Sequence, residues 1–286
     1  MFIDTHCHLT FPQYDADRAM VIGNAKKAGV KQFINPGVDL YSSKQAVALS
    51  QKYPGVIFAA VGIHPYEAQH DPEVSALGKL LHAAFVIPGL TRNPSKKLDP
   101  GPLRREASPE AGMTTVIAIG ECGLDYHQYT GEKALGKKDK QKRLFVNQLE
   151  LALKHNLPVI FHCRDGFDDF FDVLDSLPRA PRGVIHCFSG GLQEVRLAQK
   201  RNFFVGFDGN VTYSKHLQSI IPQIPLSMML LETDSPYLTP TPHRGTRNEP
   251  KYIPLVAREI ARLHRISLQE VKKITTANAK TLFGIQ

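Results

Sequence analysis

The sequence predicts an α/β fold, a (β/α)8 TIM-type barrel, from three observations. Eight short apolar, β-branched runs recur along 286 residues, and amphipathic helical stretches separate them. The runs are near-continuous in apolar residues, as strands covered on both faces are, and helices between them make the crossovers parallel. No Gly-rich nucleotide loop follows the first run, which disfavours an open doubly wound sheet. Barrels of this length are commonly one domain, so residues 1–286 are expected to form a single domain.

In chain order, the first strand spans 2–5 and leads into Thr5-His6-Cys7-His8. The helix at 17–28 carries Ala19, Ile22, Ala25 and Ala28 at three-residue spacing and stops at Gly29. Strand 32–35 precedes helix 42–53, which ends before Pro54-Gly55, and strand 56–61 precedes helix 73–83. Strand 116–120 comes next, followed by helix 137–155, whose opening run of Lys137, Lys138, Lys140, Lys142 and Arg143 reads as a solvated face. Beside the pocket the same run would attract a polyanion without regard to sequence. The remaining strands are 159–161, 183–185, 203–207 and 228–231, with helices 167–177, 192–200 and 213–220 between them and helices 252–264 and 267–282 at the end.

One segment interrupts this rhythm. Residues 85–113, FVIPGLTRNPSKKLDPGPLRREASPEAGM, are rich in Pro and Gly and show no apolar period. In a parallel barrel a loop from helix to strand lies on the N-terminal face, so this insertion is expected to be a surface excursion without a catalytic role. Arg92, Lys96, Lys97, Arg104 and Arg105 make a basic arm the alternative.

The formal charge of +8 and a pI near 9.3 favour polyanionic partners such as nucleic acid, or else a merely solvated basic surface. No apolar run reaches membrane-spanning length and no signal peptide opens the chain, so a cytoplasmic protein without a membrane partner is expected. Cys7, Cys122, Cys163 and Cys187 show no Cys-x-x-Cys spacing, against both a disulfide framework and a zinc-ribbon cage.

Chemistry gathers where the strands end. His6 and His8 close the first, His64 the third, Glu121 the fourth, His162 the fifth, His186 the sixth and Asp234 the eighth. Parallel strand ends converge on one rim, so these seven side chains should meet although the sequence scatters them. Each has a plainer reading, a packed histidine, a turn former before Pro65 or an acidic helix cap. Five histidines and two acids together favour a metal site. Each cysteine sits beside one of these residues, and alternation along an extended backbone should turn it away as a small buried apolar side chain.

The series FIDTHCHL, GIHP, IGECGLDY, PVIFHCRD, IHCFSG, GNVTY and LLETDSPYLTPTPHRGTRNEP resembles the TatD family of metal-dependent deoxyribonucleases, in the amidohydrolase-like barrel superfamily. The resemblance runs to about residue 283 and fails only at 85–113, which resembles the in-frame product of a mobile palindromic repeat. It implies a dinuclear site at the C-terminal ends of the strands. His6 and His8 match the histidines of the first metal, Glu121 the carboxylate reaching both, and His162 and His186 those of the second. Asp234 matches the strand-eight acid that contacts the first metal and accepts a proton from the attacking water. His64 matches a pocket histidine that meets the scissile phosphate. Arg164, His243, Arg244 and Arg247 are the candidate holders of neighbouring phosphates, with a structural clamp as the alternative for the last loop.

The resemblance therefore implies a metal-dependent hydrolase of ester bonds, a DNase trimming DNA from a 3′ end with two divalent ions, zinc, manganese or magnesium. Hydrolysis of other esters or amides on the same site, including aminoacyl-tRNA deacylation, is the second reading. A non-catalytic binding barrel with structural metals is the third, which the intact Asp234 disfavours. No obligate protein partner is implied.

Overall fold

Strands that are apolar on both faces leave no edge to solvent once the last meets the first. The computed structural model describes residues 1–85, 116–128 and 137–286. Eight parallel strands lie side by side in sequence order: β1 (Phe2–Asp4), β2 (Val30–Pro36), β3 (Ile57–Val61), β4 (Val116–Asp125), β5 (Val159–Arg164), β6 (Gly183–Ile185), β7 (Phe204–Phe207) and β8 (Met229–Leu231). The chain beyond β8 returns to β1. Thr5 N–H donates to the Leu231 carbonyl at 3.0 Å, Asp234 N–H to His6 at 2.9 Å and His8 N–H to Ser235 at 2.8 Å. The fold is the (β/α)8 barrel that the sequence predicts.

The helices described are α1 (Arg18–Lys27), α2 (Leu40–Lys52), α3 (Ser75–Phe85), α4 (Lys138–His155), α5 (Phe167–Asp175), α6 (Leu192–Lys200), α7 (Lys215–Ile220), α8 (Ile253–His264) and α9 (Leu268–Phe283). Their starts carry local signals. Asp39 accepts from Ser42 N–H at 2.6 Å ahead of α2, and Ser267 accepts from Glu270 N–H at 3.1 Å ahead of α9. Among the described residues no helix is long and apolar enough to cross a membrane.

Two apolar clusters support the barrel. The larger lies between strands and helices, and within it Phe161 of β5 meets Phe145, Phe170 and Phe203 with ring centroids 5.0–6.1 Å apart. Truncating such a ring costs about 3–5 kcal/mol. The smaller joins Ile3, Ile34, Ala60, Ile117, Ile160, Val184 and Leu230, from seven of the strands, to Leu282 and Phe283 at the end of α9. Phe204 of β7 packs against this cluster, so every strand has an apolar anchor and its C-terminal end is free to carry polar side chains.

Three expectations are revised. First, β4 does not stop at residue 120. It runs to Asp125 and pairs with β5 as far as Asp125 opposite Arg164, with a register shift between Ile119 and Cys122. Glycine keeps it pressed against its neighbour: at Gly123, with φ of +152°, a Cβ would lie 1.9 Å from the His162 carbonyl oxygen. Glu121 therefore projects from an irregularity within a strand, not from its end. Second, Cys187 does not lie on extended backbone: its φ is +45° and it is half-buried, unlike the buried Cys7, Cys122 and Cys163. Third, the run opening α4 is not a free solvated face. Lys140 pairs with Asp71 at 2.6 Å, Lys142 with Asp169 at 3.0 Å, and Lys138 lies over the Tyr126 ring at 4.2 Å. The insertion expected at 85–113 lies, but for its first residue, outside the described residues.

Candidate metal centre

Strand direction does the gathering. His6 and His8 leave β1, His64 follows β3, Glu121 sits in β4, His162 in β5, His186 just after β6 and Asp234 just after β8, and all seven side chains come together. Glu121 is their centre. Its Oε2 lies 3.3 Å from His6 Nε2 and 3.7 Å from His8 Nε2, while its Oε1 lies 2.7 Å from both His162 Nδ1 and His186 Nε2 and 3.6 Å from His64 Nε2. Asp234 Oδ1 completes the first side, 3.6 Å from His6 Nε2 and 3.4 Å from His8 Nε2. The His6 and His186 rings stack across the middle, 4.0 Å apart and 9° from parallel.

The nitrogens converge in a way that hydrogen bonding does not explain. His6 Nε2 and His8 Nε2 are 3.2 Å apart, and His162 Nδ1 and His186 Nε2 are 3.0 Å apart. Within each pair at most one nitrogen can donate to the other, and both already face carboxylate oxygens. His6 Nδ1, His8 Nδ1 and His186 Nδ1 are buried without a hydrogen-bond partner among the described residues. Among the described residues three groups have ligand atoms close enough to share an ion: His6, His8 and Glu121; His6, His186 and Asp234; and His64, Glu121 and His162. Imidazole nitrogen and carboxylate oxygen suit zinc and its neighbours, so the residues fit the metal that the sequence led us to expect.

Electrostatics point the same way. Burial alone would raise the Glu121 carboxyl, but the His186 and His6 imidazoles and hydrogen bonds with His162 and His186 hold it well below the carboxylate range. Burial would raise Asp234 too, and its bond to His8 together with the field of His6 brings it down. Burial, then His186, lowers His6 to about 4, and burial, then His162, lowers His64 to about 3. The site thus holds ionised carboxylates beside the neutral imidazoles of His6 and His64, a donor set for a cation.

Two histidines go the other way: burial would lower His8, but its bond to Asp234 raises it, and His162 is raised as well and exposes a residue that sequence reasoning missed. Burial would lower His162, but bonds to Asp125 and Glu121 hold it up at about 9. Asp125 Oδ2 lies 3.2 Å from His162 Nε2, which leaves Nδ1 to face Glu121 and His186. The Asp125 backbone is itself fixed: its N–H donates to Gln141 Oε1 and its carbonyl accepts from Gln141 Nε2, both at 2.9 Å. The signal was present, because Glu121, Gly123 and Asp125 alternate along one strand face once β4 is allowed to continue.

Three more buried acids stand behind the ligands. Asp4 accepts from Thr233 N–H at 3.0 Å and shares a 2.6 Å bond with the Thr233 hydroxyl, which ties β1 to the β8 loop. Glu232 accepts from Cys187 N–H and lies 3.8 Å from His186 Nδ1. Burial, against hydrogen bonds, raises both Asp4 and Asp208 to about 7, and burial and then Asp208 push Glu232 well up.

The candidate phosphate holders fare unequally. His64 Nδ1 accepts from Tyr66 N–H at 3.1 Å, so its Nε2 turns toward Glu121. Arg164 ends β5 and is exposed, and Arg244 is exposed above the Tyr213 ring at 3.8 Å. His243 is exposed and stacked on Tyr252 at 4.6 Å. Arg247 is instead committed to a clamp: it reaches Asp17 at 2.6 and 3.0 Å and Glu249 at 3.4 Å and lies over the Tyr14 ring.

Comparison with known proteins places this chain among relatives. The family described as TatD related DNase matches residues 3–284. A Bacillus subtilis (strain 168) protein named as an uncharacterized metal-dependent hydrolase, YabD, is 37% identical over 288 residues, covering all of both chains. A protein of Pectobacterium parmentieri (strain WPP163) named 3′-5′ ssDNA/RNA exonuclease TatD is 31% identical over 290 residues and covers 99% of each chain. The crystal structure of YJJV, a TatD homologue from Escherichia coli K12, superposes with a TM-score of 0.81 at 29% identity, over 100% of this chain and 98% of that one.

Proposed function

The chain belongs to the family of TatD related DNases, and from that premise we propose that it removes nucleotides from the 3′ end of single-stranded nucleic acid, DNA foremost, with two divalent ions. It is a metal-dependent hydrolase of that family. The observation that carries the finer reading is the division of Glu121, whose two oxygens face two separate pairs of histidines. We read residues 1–286 as one hydrolase domain with an insertion at 85–113, and its free cysteines suit the cytoplasm.

His6, His8 and Asp234 would hold one ion and His162 and His186 the other, with Glu121 available to both. Bound there, zinc, manganese or magnesium supplies Lewis-acid stabilisation of phosphodiester oxygens and eases the ionisation of water. The protein does the rest. Asp234, kept ionised, accepts a proton from the attacking water. His64, kept neutral, faces the scissile phosphate with Nε2. Arg164, Arg244 and His243 stand exposed for the flanking phosphates, with Arg247 bracing the loop that carries the last two. The positive net charge favours the approach of a polyanion.

The test is cleavage of end-labelled single-stranded DNA by metal-stripped protein, with Mg²⁺, Mn²⁺ or Zn²⁺ restored singly and Asp234→Asn as control. Stepwise shortening from the 3′ end that requires metal and vanishes in the variant is expected. Folded, metal-loaded protein that shortens neither DNA nor RNA would overturn this reading in favour of ester or amide substrates.

A further inference from the structure

Two aromatic side chains at the edge of the metal centre play no part in the reaction above. Tyr237 lies three residues beyond Asp234, and 51% of it is exposed. Its backbone is nonetheless held on every side. Its N–H donates to the Asp234 carbonyl at 2.9 Å, its carbonyl accepts from Asn248 Nδ2, and the Asn248 N–H donates to the Pro236 carbonyl at 3.0 Å. Asn248 is buried and is gripped in turn by the Tyr14 hydroxyl, which donates to its carbonyl.

The second aromatic is Phe11. Its ring lies edge-on to Tyr237, with centroids 6.4 Å apart at 72°, and stacks on His8 at 4.4 Å and 13°. An aromatic line therefore runs from a proposed metal ligand outward to solvent. Burial, then the carboxylates of Asp234 and Glu121, raises the Tyr237 hydroxyl, which puts it in the field of the site. A lone exposed tyrosine needs no explanation. This one combines exposure with a rigid mount beside the reacting centre.

We infer that Tyr237, backed by Phe11, is a stacking platform for an unpaired base of one of the two nucleotides flanking the scissile phosphate. The inference rests on the nuclease reading. Every base presents a π face, so such a platform accepts all sequences, whereas a base inside a duplex has both faces covered by its neighbours. A platform fixed beforehand loses little freedom when the base arrives. Tyr237 is thereby a substrate-positioning residue that selects single strands.

Metal-loaded wild type, Tyr237→Ala and Tyr237→Phe are to be compared on an ordinary oligonucleotide and on two matched strands, each lacking the base on one side of the scissile bond. Tyr237→Ala is expected to lose about 5- to 150-fold in kcat/KM on the ordinary strand, mainly through KM. On one base-less strand the two proteins converge, and Tyr237→Phe keeps wild-type activity throughout. Quenching of 2-aminopurine at the same position by wild type and Tyr237→Phe, but not by Tyr237→Ala, would support the platform independently. Equal loss on all strands, or no loss, overturns it while leaving the nuclease reading intact. Wild type that cleaves none of the strands overturns both.

Discussion

The two sides of Glu121 present similar ligands but hold them by different means. On the β1 side, His6 and His8 are buried, their Nδ1 atoms find no hydrogen-bond partner among the described residues, and their positions follow from the backbone seam between β1 and the β8 loop. On the β5 side, His162 is more open and its ring is set by a carboxylate, Asp125, at its far nitrogen. Packing fixes His6, His8 and also His186, whose Nδ1 is likewise unpartnered among the described residues, whereas a hydrogen bond to a carboxylate fixes His162. Geometry of equal quality can thus be reached by two routes whose sensitivities to mutation differ.

The largest expected effect breaks the comparison altogether. Glu121→Gln removes the charge both sides share, so activity should fall at least about a thousandfold and bound metal should drop on both sides. Retention of one tightly held ion, measured by elemental analysis, would show that the sides do not depend on a common carboxylate.

Asp125→Asn should separate the two sides. Loss of its charge should weaken metal binding on the β5 side by about 10- to 100-fold while the β1 side keeps its ion. Titration with a chelator reads this as one early and one late step, and two equally shifted steps would contradict it.

The smallest effect concerns the brace of the β1 side and appears in metal-stripped protein. Asp4 in the fold titrates near 7 against an ordinary value of 3.8, so between about pH 4 and pH 7 the folded chain keeps a proton that the unfolded chain has released. Its contribution to stability therefore falls as pH rises through that window, by at most about 1.4 kcal/mol per pH unit. Asp4→Asn should flatten the slope of unfolding free energy against pH between those limits. An unchanged slope would mean that Asp208 and Glu232 carry it.

The sequence was most informative where chemistry coincides with strand ends. His6, His64, His186 and Asp234 each follow an apolar run, so direction alone was enough to gather them. Asp125 was hidden because the strand was expected to end at residue 120, whereas Gly120 and Gly123 let β4 continue against β5. Asp4, Asp208 and Glu232 were illegible for another reason: whether an acid is solvated or buried is decided by packing from elements far away in sequence. Arg247 illustrates the same limit. Its charge suggested phosphate, but only the approach of α1 reveals Asp17 as its partner.

The seam between β1 and the β8 loop also sets a schedule. More than two hundred residues separate His6 from Asp234, and the hydrogen bonds that close the barrel join them directly. A ribosome adding roughly 5–20 residues per second needs on the order of ten to fifty seconds to make that stretch. Throughout that time the nascent chain displays His6 and His8 without Asp234. The centre can be completed only after the last strand has left the exit tunnel, so the order of synthesis withholds a working site from the unfinished chain.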